Sequence, residues 1–172
     1  MTVPPLDAEI ASGLRLRTLT PDDASLLVEA TATEPGRAVW GPYPVGPYTP
    51  AEAREALQAW TGDQTSFALL DDTRLLAAFG LMREADDIAE LAYWVPPPHR
   101  RHGYATRGLR FLAEWSLSAG GLRRVWLEIE PANTASRSVA DGAGFRYERR
   151  IRDHCRNPET GAPHDCLIYA KP

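Results

Sequence analysis

The chain has 172 residues, 44% of them hydrophobic and 24% charged, and a formal net charge of -4. That length and composition suit one domain able to bury a core. The acidic balance argues against general nucleic-acid binding, and no apolar run is long enough to span a bilayer. Met1 to Ile10 lacks the basic-then-apolar layout of a signal peptide, so the expected location is cytoplasmic.

Leu14 to Leu19 alternates apolar and polar residues, the pattern of a half-buried strand. Thr20-Pro21-Asp22-Asp23 then predicts a helix start, with Thr20 as N-cap, proline in the first turn and aspartates on the positive end of the dipole. That helix should run to about Thr31. Thr33 to Tyr48 reads as a long loop rich in Gly, Pro and aromatics. Trp40 and Tyr43 in it could wall a substrate pocket or could cover the core. Thr49-Pro50-Ala51-Glu52 repeats the start signal with a capping-box glutamate, and the second helix should reach Trp60. Ser66 to Leu70, Leu75 to Arg83 and Ile88 to Val95 are predicted strands of an antiparallel meander, with turns at Asp71-Asp72-Thr73 and Asp86-Asp87.

Pro96, Pro97 and Pro98 end the last of these strands, since proline cannot donate to the ladder. Next comes Arg100-Arg101-His102-Gly103-Tyr104-Ala105-Thr106, then a predicted helix to about Ala119, stopped by Gly120-Gly121. A glycine-containing basic loop at a helix start can hold a phosphate group, because the first-turn amides lack partners and the dipole is positive there. It can equally be an exposed basic turn. Arg124 to Glu130 is a further strand, and a strand–helix–strand unit of this kind makes a parallel pair by a right-handed crossover. Ala132 to Ala143 is a short helix closed by Gly144. Phe145 to Asp153 and about Asp165 to Tyr169 form a final hairpin. The fold class is α/β, with a mixed sheet and no internal repeat or domain boundary. Cys155 and Cys166 flank the hairpin turn beside His154 and His164. Neither Cys-x-x-Cys nor His-x-x-x-His spacing is present, so two reduced thiols and no metal are expected.

Arg100-x-x-Gly103-x-Ala105 after a strand resembles the acyl-CoA-binding motif of the GNAT superfamily of N-acetyltransferases. The run Trp126 to Ser136, with Asn133 and Ser136 and then Gly144-Phe145, resembles that family's second signature. Leu14-Arg15-Leu16-Arg17 and the Trp40-Gly41-Pro42-Tyr43-Pro44 stretch look like the ribosomal-protein N-terminal acetyltransferase (Rim-type) branch. The resemblance covers about Leu14 to Tyr169, one domain.

It implies a mostly antiparallel sheet splayed between two parallel central strands and flanked by helices, with a bulge on the Ile88 to Val95 strand and acetyl-CoA in the gap. Backbone groups at Trp94 and Val95 would meet the pantetheine arm. Arg100 opens the pyrophosphate loop, and the amides of Arg101, His102, Gly103, Tyr104 and Ala105, with the Thr106 hydroxyl, would hold the pyrophosphate. Asn133 would serve both as N-cap and as a pantetheine contact. Glu128 is the first choice for general base, then Glu90, then Glu130. Ser136, beside the cofactor, is the candidate acid, because the position where many members carry a tyrosine is Ala140. Gly108 is a second departure and is expected to weaken its helix. The implied reaction is acetyl transfer from acetyl-CoA to a primary amine, a protein N-terminus or a small amine, by direct attack in a ternary complex. A non-catalytic acyl-CoA-binding or sensory domain is the rival reading. The expected partner is the amine acceptor, with a homodimer possible and no nucleic acid or membrane.

Overall fold

The computed structural model describes residues 3–32, 46–59, 64–156 and 160–172. Trp40 and Tyr43 lie outside them. Eight strands form one sheet: β1 Asp7–Ala11, β2 Leu14–Thr18, β3 Gln64–Asp71, β4 Arg74–Ala85, β5 Ile88–Trp94, β6 Arg124–Ile129, β7 Arg146–Arg156 and β8 Pro163–Lys171. Their order across the sheet is β1-β2-β3-β4-β5-β6-β8-β7. The β5–β6 pair is parallel and its neighbours are antiparallel. The helices are α1 Ala24–Thr31, α2 Pro50–Ala59, α3 Tyr104–Leu117 and α4 Thr134–Gly142. No helix among the described residues is long and apolar enough to cross a membrane.

Side-chain alternation explains why helices cover both faces. In β3, Phe67 and Leu69 join one core cluster with Leu109 and Leu112 of α3. Ala68 and Leu70 join the other, with Leu27 of α1 and Ala53 and Leu57 of α2. Successive residues of a strand point to opposite faces, so a continuously apolar strand needs a cover on each side. The Arg17 guanidinium ties β2 to the start of α1 through Asp23, at 2.6 and 2.8 Å. Asp23 also accepts the Thr20 N–H at 2.8 Å, closing a capping box at this helix start.

Gly108 has a packing reason. A Cβ built there would lie 2.3 Å from Cζ of Phe79, which is fully buried on β4. The glycine lets α3 sit down on the sheet, so its low helix propensity is offset by close approach. Gly108→Ala is expected to destabilise the protein by roughly 1–3 kcal/mol through overpacking, less about 1 kcal/mol of recovered propensity. Urea denaturation checks this, and Phe79→Leu in the Gly108→Ala background should recover part of the loss.

The sheet opens in its middle. β5 and β6 pair only at Ile88↔Arg124, Ala89↔Val125 and Glu90↔Trp126. Beyond Glu90, β5 stays with β4 through Leu91↔Leu81 to Trp94↔Ala78. Beyond Trp126, β6 stays with β8 through Leu127↔Tyr169 to Ile129↔Leu167. The expected bulge on the Ile88 to Val95 strand is not where the irregularity falls. β5 pairs in unbroken register from Ala89 to Trp94, and the extra residue is on β4, between Arg83 and Ala85.

The final hairpin corrects the expectation for the cysteines. Ile151 pairs with Cys166 and Cys155 with His164, so β7 takes four steps where β8 takes two. The surplus is absorbed at Asp153, whose φ is 51°, and Asp165 fastens it by accepting the Asp153 N–H at 3.1 Å. The detour turns Cys155 toward Cys166, and the two form a disulfide with Cα atoms 6.1 Å apart.

Candidate active site

Where β5 and β6 part, a cleft of about 870 Å³ opens. Trp94 of β5 and Val95 just past its end line it, as do Leu127, Glu128 and Ile129 of β6. Arg100, Arg101, Gly103, Tyr104, Ala105 and Thr106 line it from the loop and the first turn of α3. Asn133 and Ser136 line it from the start of α4. Two motifs some thirty residues apart in the chain therefore meet in one cavity. His102 is not on the wall. Its ring stacks on Tyr104, with centroids 5.6 Å apart, and its Nδ1 lies 2.7 Å from the Arg100 carbonyl oxygen.

The loop has the geometry of an anion cradle. Arg101 and Gly103 both take left-handed backbone, φ 65° and 76°, and turns of this kind point successive N–H groups the same way. The first backbone bond of α3 runs from the Arg107 N–H to the Gly103 carbonyl, which leaves the amides before it for an external acceptor. Arg101, His102 and Gly103 are exposed, and a Cβ on Gly103 would meet open space. The glycine is thus required by its φ and not by crowding. Arg100 Nε donates to the Val95 carbonyl at 3.0 Å, holding the loop against the end of β5. These features fit the pyrophosphate of coenzyme A.

Asn133 caps α4, its Oδ1 accepting the Ser136 N–H at 3.0 Å. Ser136 Oγ lies 2.7 Å from the Tyr93 hydroxyl, a bond across 43 residues of chain. Burial pushes the Tyr93 phenol above its ordinary value, against the pull of the Ser136 hydrogen bond, so the hydroxyl holds its proton at neutral pH. Tyr93 is absent from the residues singled out in the sequence. It is one apolar-face residue of a strand there, and only the approach of α4 to β5 gives it a partner. Ala140 is fully buried in the core.

Glu90, Glu128 and Glu130 all line the cleft. Burial, then the charges of Glu128 and Glu84, push the Glu90 carboxyl up to about 7. Glu128 lies against the last hairpin: its Oε2 is 3.2 Å from His154 Nε2 and its Oε1 is 2.7 Å from Cys155 Sγ. Glu130 is exposed, past the end of β6.

Several known proteins are similar to this chain in sequence or in fold. The uncharacterized N-acetyltransferase YoaA of Bacillus subtilis (strain 168) is 29% identical over 82 residues, 48% of this chain and 45% of that protein. The match therefore spans less than half the length of this curated relative. RimL, a ribosomal-protein alpha-N-acetyltransferase solved in complex with coenzyme A, superposes with a TM-score of 0.79 at 17% identity, over 96% of this chain and 97% of the other. A spermidine N-acetyltransferase, SpeG from Vibrio cholerae, gives a TM-score of 0.75 at 18% identity over 94% of each chain. At these identities the structural likeness shows the fold. A family model, the acetyltransferase (GNAT) domain, matches residues 13–146, which is most of the chain, and the chain belongs to that family.

Proposed function

We propose that the protein transfers an acetyl group from acetyl-CoA to a primary amine within the cleft between β5 and β6. The observation that carries this reading is the meeting of three parts in one cavity: the amide cradle at Arg101 to Thr106, the carboxylates Glu90 and Glu128, and the Tyr93–Ser136 hydroxyl pair. Acetyl-CoA supplies the activated acetyl group when bound, held by the loop amides, by backbone groups at Trp94 and Val95 and by the Asn133 amide.

The remaining work is proton transfer. An amine attacks only as the free base, so it must lose a proton, and a base whose proton affinity lies near working pH does this best. Glu90 meets that condition, and Glu128 helps to set it by like-charge repulsion. The order expected from the sequence, Glu128 before Glu90, is therefore reversed in this proposal. At the other side, Ser136 Oγ gives its proton to the departing sulfur and is reloaded from Tyr93 Oη, 2.7 Å away, which regains its proton from solvent.

The acceptor is a cationic amine, either small or the N-terminus of a protein. Glu84, Glu90, Glu128 and Glu130 give this side of the sheet a negative field that draws such an acceptor in. The experiment is a panel of polyamines, amino acids and N-terminal peptides incubated with acetyl-CoA, with free thiol as the readout. Thiol release that depends on one class of amine supports the reading. Tight acetyl-CoA binding without amine-dependent release favours a non-catalytic acyl-CoA-binding domain.

A further inference from the structure

The last hairpin carries a cluster of sulfur and imidazole groups, one of which, Cys155, touches Glu128. Cys155 Sγ, Cys166 Sγ and a ring nitrogen of His164 lie within 4.8 Å of one another. Four-coordinate zinc bound through sulfur and nitrogen keeps its ligand atoms roughly 3.5–4 Å apart. The side chains are therefore close enough to share one ion once the sulfurs part. Cys166 is 1% exposed, and Cys155 and His164 are half-buried. Two thiolates in such a place need a compensating cation. The ligand types, two soft sulfurs and an imidazole, are those zinc prefers.

The fourth position has a candidate beside Cys155, the Glu128 carboxylate, which stands outside the 4.8 Å group formed by the other three. Glu128 Oε2 is engaged by His154 Nε2 at 3.2 Å, which leaves Oε1 turned toward Cys155, 2.7 Å from its sulfur. A ligating carboxylate with its other oxygen held by an outer partner is the usual arrangement around a protein-bound metal. The detour in β7 that creates this cluster is itself fastened. Asp165 accepts the Asp153 N–H at 3.1 Å and pairs with Arg150 at 2.5 Å. A hairpin in regular register would not bring Cys155 beside Cys166.

We propose that the dithiol form of this hairpin is a zinc site, with Cys155, Cys166 and His164 as ligands and Glu128 completing a tetrahedron. The disulfide is the metal-free alternative use of the same two sulfurs. Interconversion takes two electrons and two protons. A dithiol reductant such as dithiothreitol gives two hydrogens to the sulfurs and closes to its own disulfide. Zinc then displaces both thiol protons to solvent. The proposal does not rest on acetyl transfer, and its readout is metal binding alone.

The test is cobalt(II) titration of the full chain, reduced with a trialkylphosphine, which takes oxygen from water as it hydrogenates the disulfide. The expected result is a thiolate-to-cobalt charge-transfer band with the strong visible absorption of tetrahedral cobalt. It should saturate at one equivalent, be displaced by zinc and be absent from the oxidised protein. Cys155→Ser and Cys166→Ser should abolish the band. His164→Ala keeps both thiols and should weaken binding at least about tenfold, as should Glu128→Gln. Far-UV circular dichroism on each sample checks that the chain is folded, and a zinc-dependent rise in melting temperature of the reduced wild type gives a second readout. The proposal is overturned if folded, reduced wild type shows no band. It is equally overturned if the band survives in either serine variant, or if His164→Ala or Glu128→Gln binds as tightly as wild type.

Discussion

Glu90→Gln is expected to lower the rate of acetyl transfer at pH 8 by about 10²–10⁴-fold, the usual worth of a positioned general base, while acetyl-CoA affinity stays close to wild type. The pH profile identifies the cause. Glu90 acts as a base only when ionised, so the wild-type rate should climb with pH and level off above about 7, where its carboxyl titrates. The variant should lose that limb. Glu128→Gln removes one of the charges that raise Glu90 and should move the limb to lower pH. Burial is the larger cause, so the limb should stop short of an ordinary glutamate near 4.5. The same shift makes a stability statement. Between 4.5 and about 7 the folded chain holds a proton that the unfolded chain has lost, so stability falls as pH rises through this window. Glu90→Gln should therefore stabilise the protein above pH 7, by roughly 1–3 kcal/mol, and change little below pH 4.5. Thermal melts of both proteins at pH 4.5 and pH 8 read this difference.

Ser136→Ala should cost about 10²-fold in kcat, with a smaller effect on acetyl-CoA affinity, because the backbone N–H of residue 136 still caps on Asn133. Tyr93→Phe keeps the Ser136 hydroxyl and removes only its proton source, so its loss should be nearer tenfold. Residues that act as a unit are not additive. The double variant should be no slower than Ser136→Ala alone. Losses that multiply would show that the two hydroxyls act independently and would break the relay.

Much of the fold is legible in the sequence because its signals are local. Period-two alternation marks the strands, and Thr-Pro-Asp and Thr-Pro-Ala-Glu mark the helix starts that the structure places at Pro21–Asp23 and Pro50–Ala59. The signal fails at β1. Asp7–Ala11 lies on the sheet edge with alternating exposed and half-buried positions, and its short acidic sequence carries little apolar contrast. The loop proposed to hold the cofactor is legible for a different reason: a phosphate cradle needs a glycine with positive φ at a helix start, and Gly103 follows Arg100, Arg101 and His102 in the chain itself. Tyr93 is not legible, since its role depends on a hydroxyl from α4 that only the folded chain brings within reach. Gly108 reads as a helix weakness until Phe79 is seen beneath it. The cysteines are visible as a pair across a turn, but their union depends on the two extra residues of β7, and no local pattern announces a bulge.

The parting of β5 and β6 is the proposed seat of coenzyme A. Its most direct test is a titration of the isotopically labelled protein with coenzyme A, followed amide by amide in proton–nitrogen correlation spectra. The largest shifts are predicted at Arg101 to Thr106, at Trp94 and Val95, and at Asn133, with β1 and β2 unmoved. Saturable binding that leaves the amides of Arg101 to Thr106 in place would contradict it.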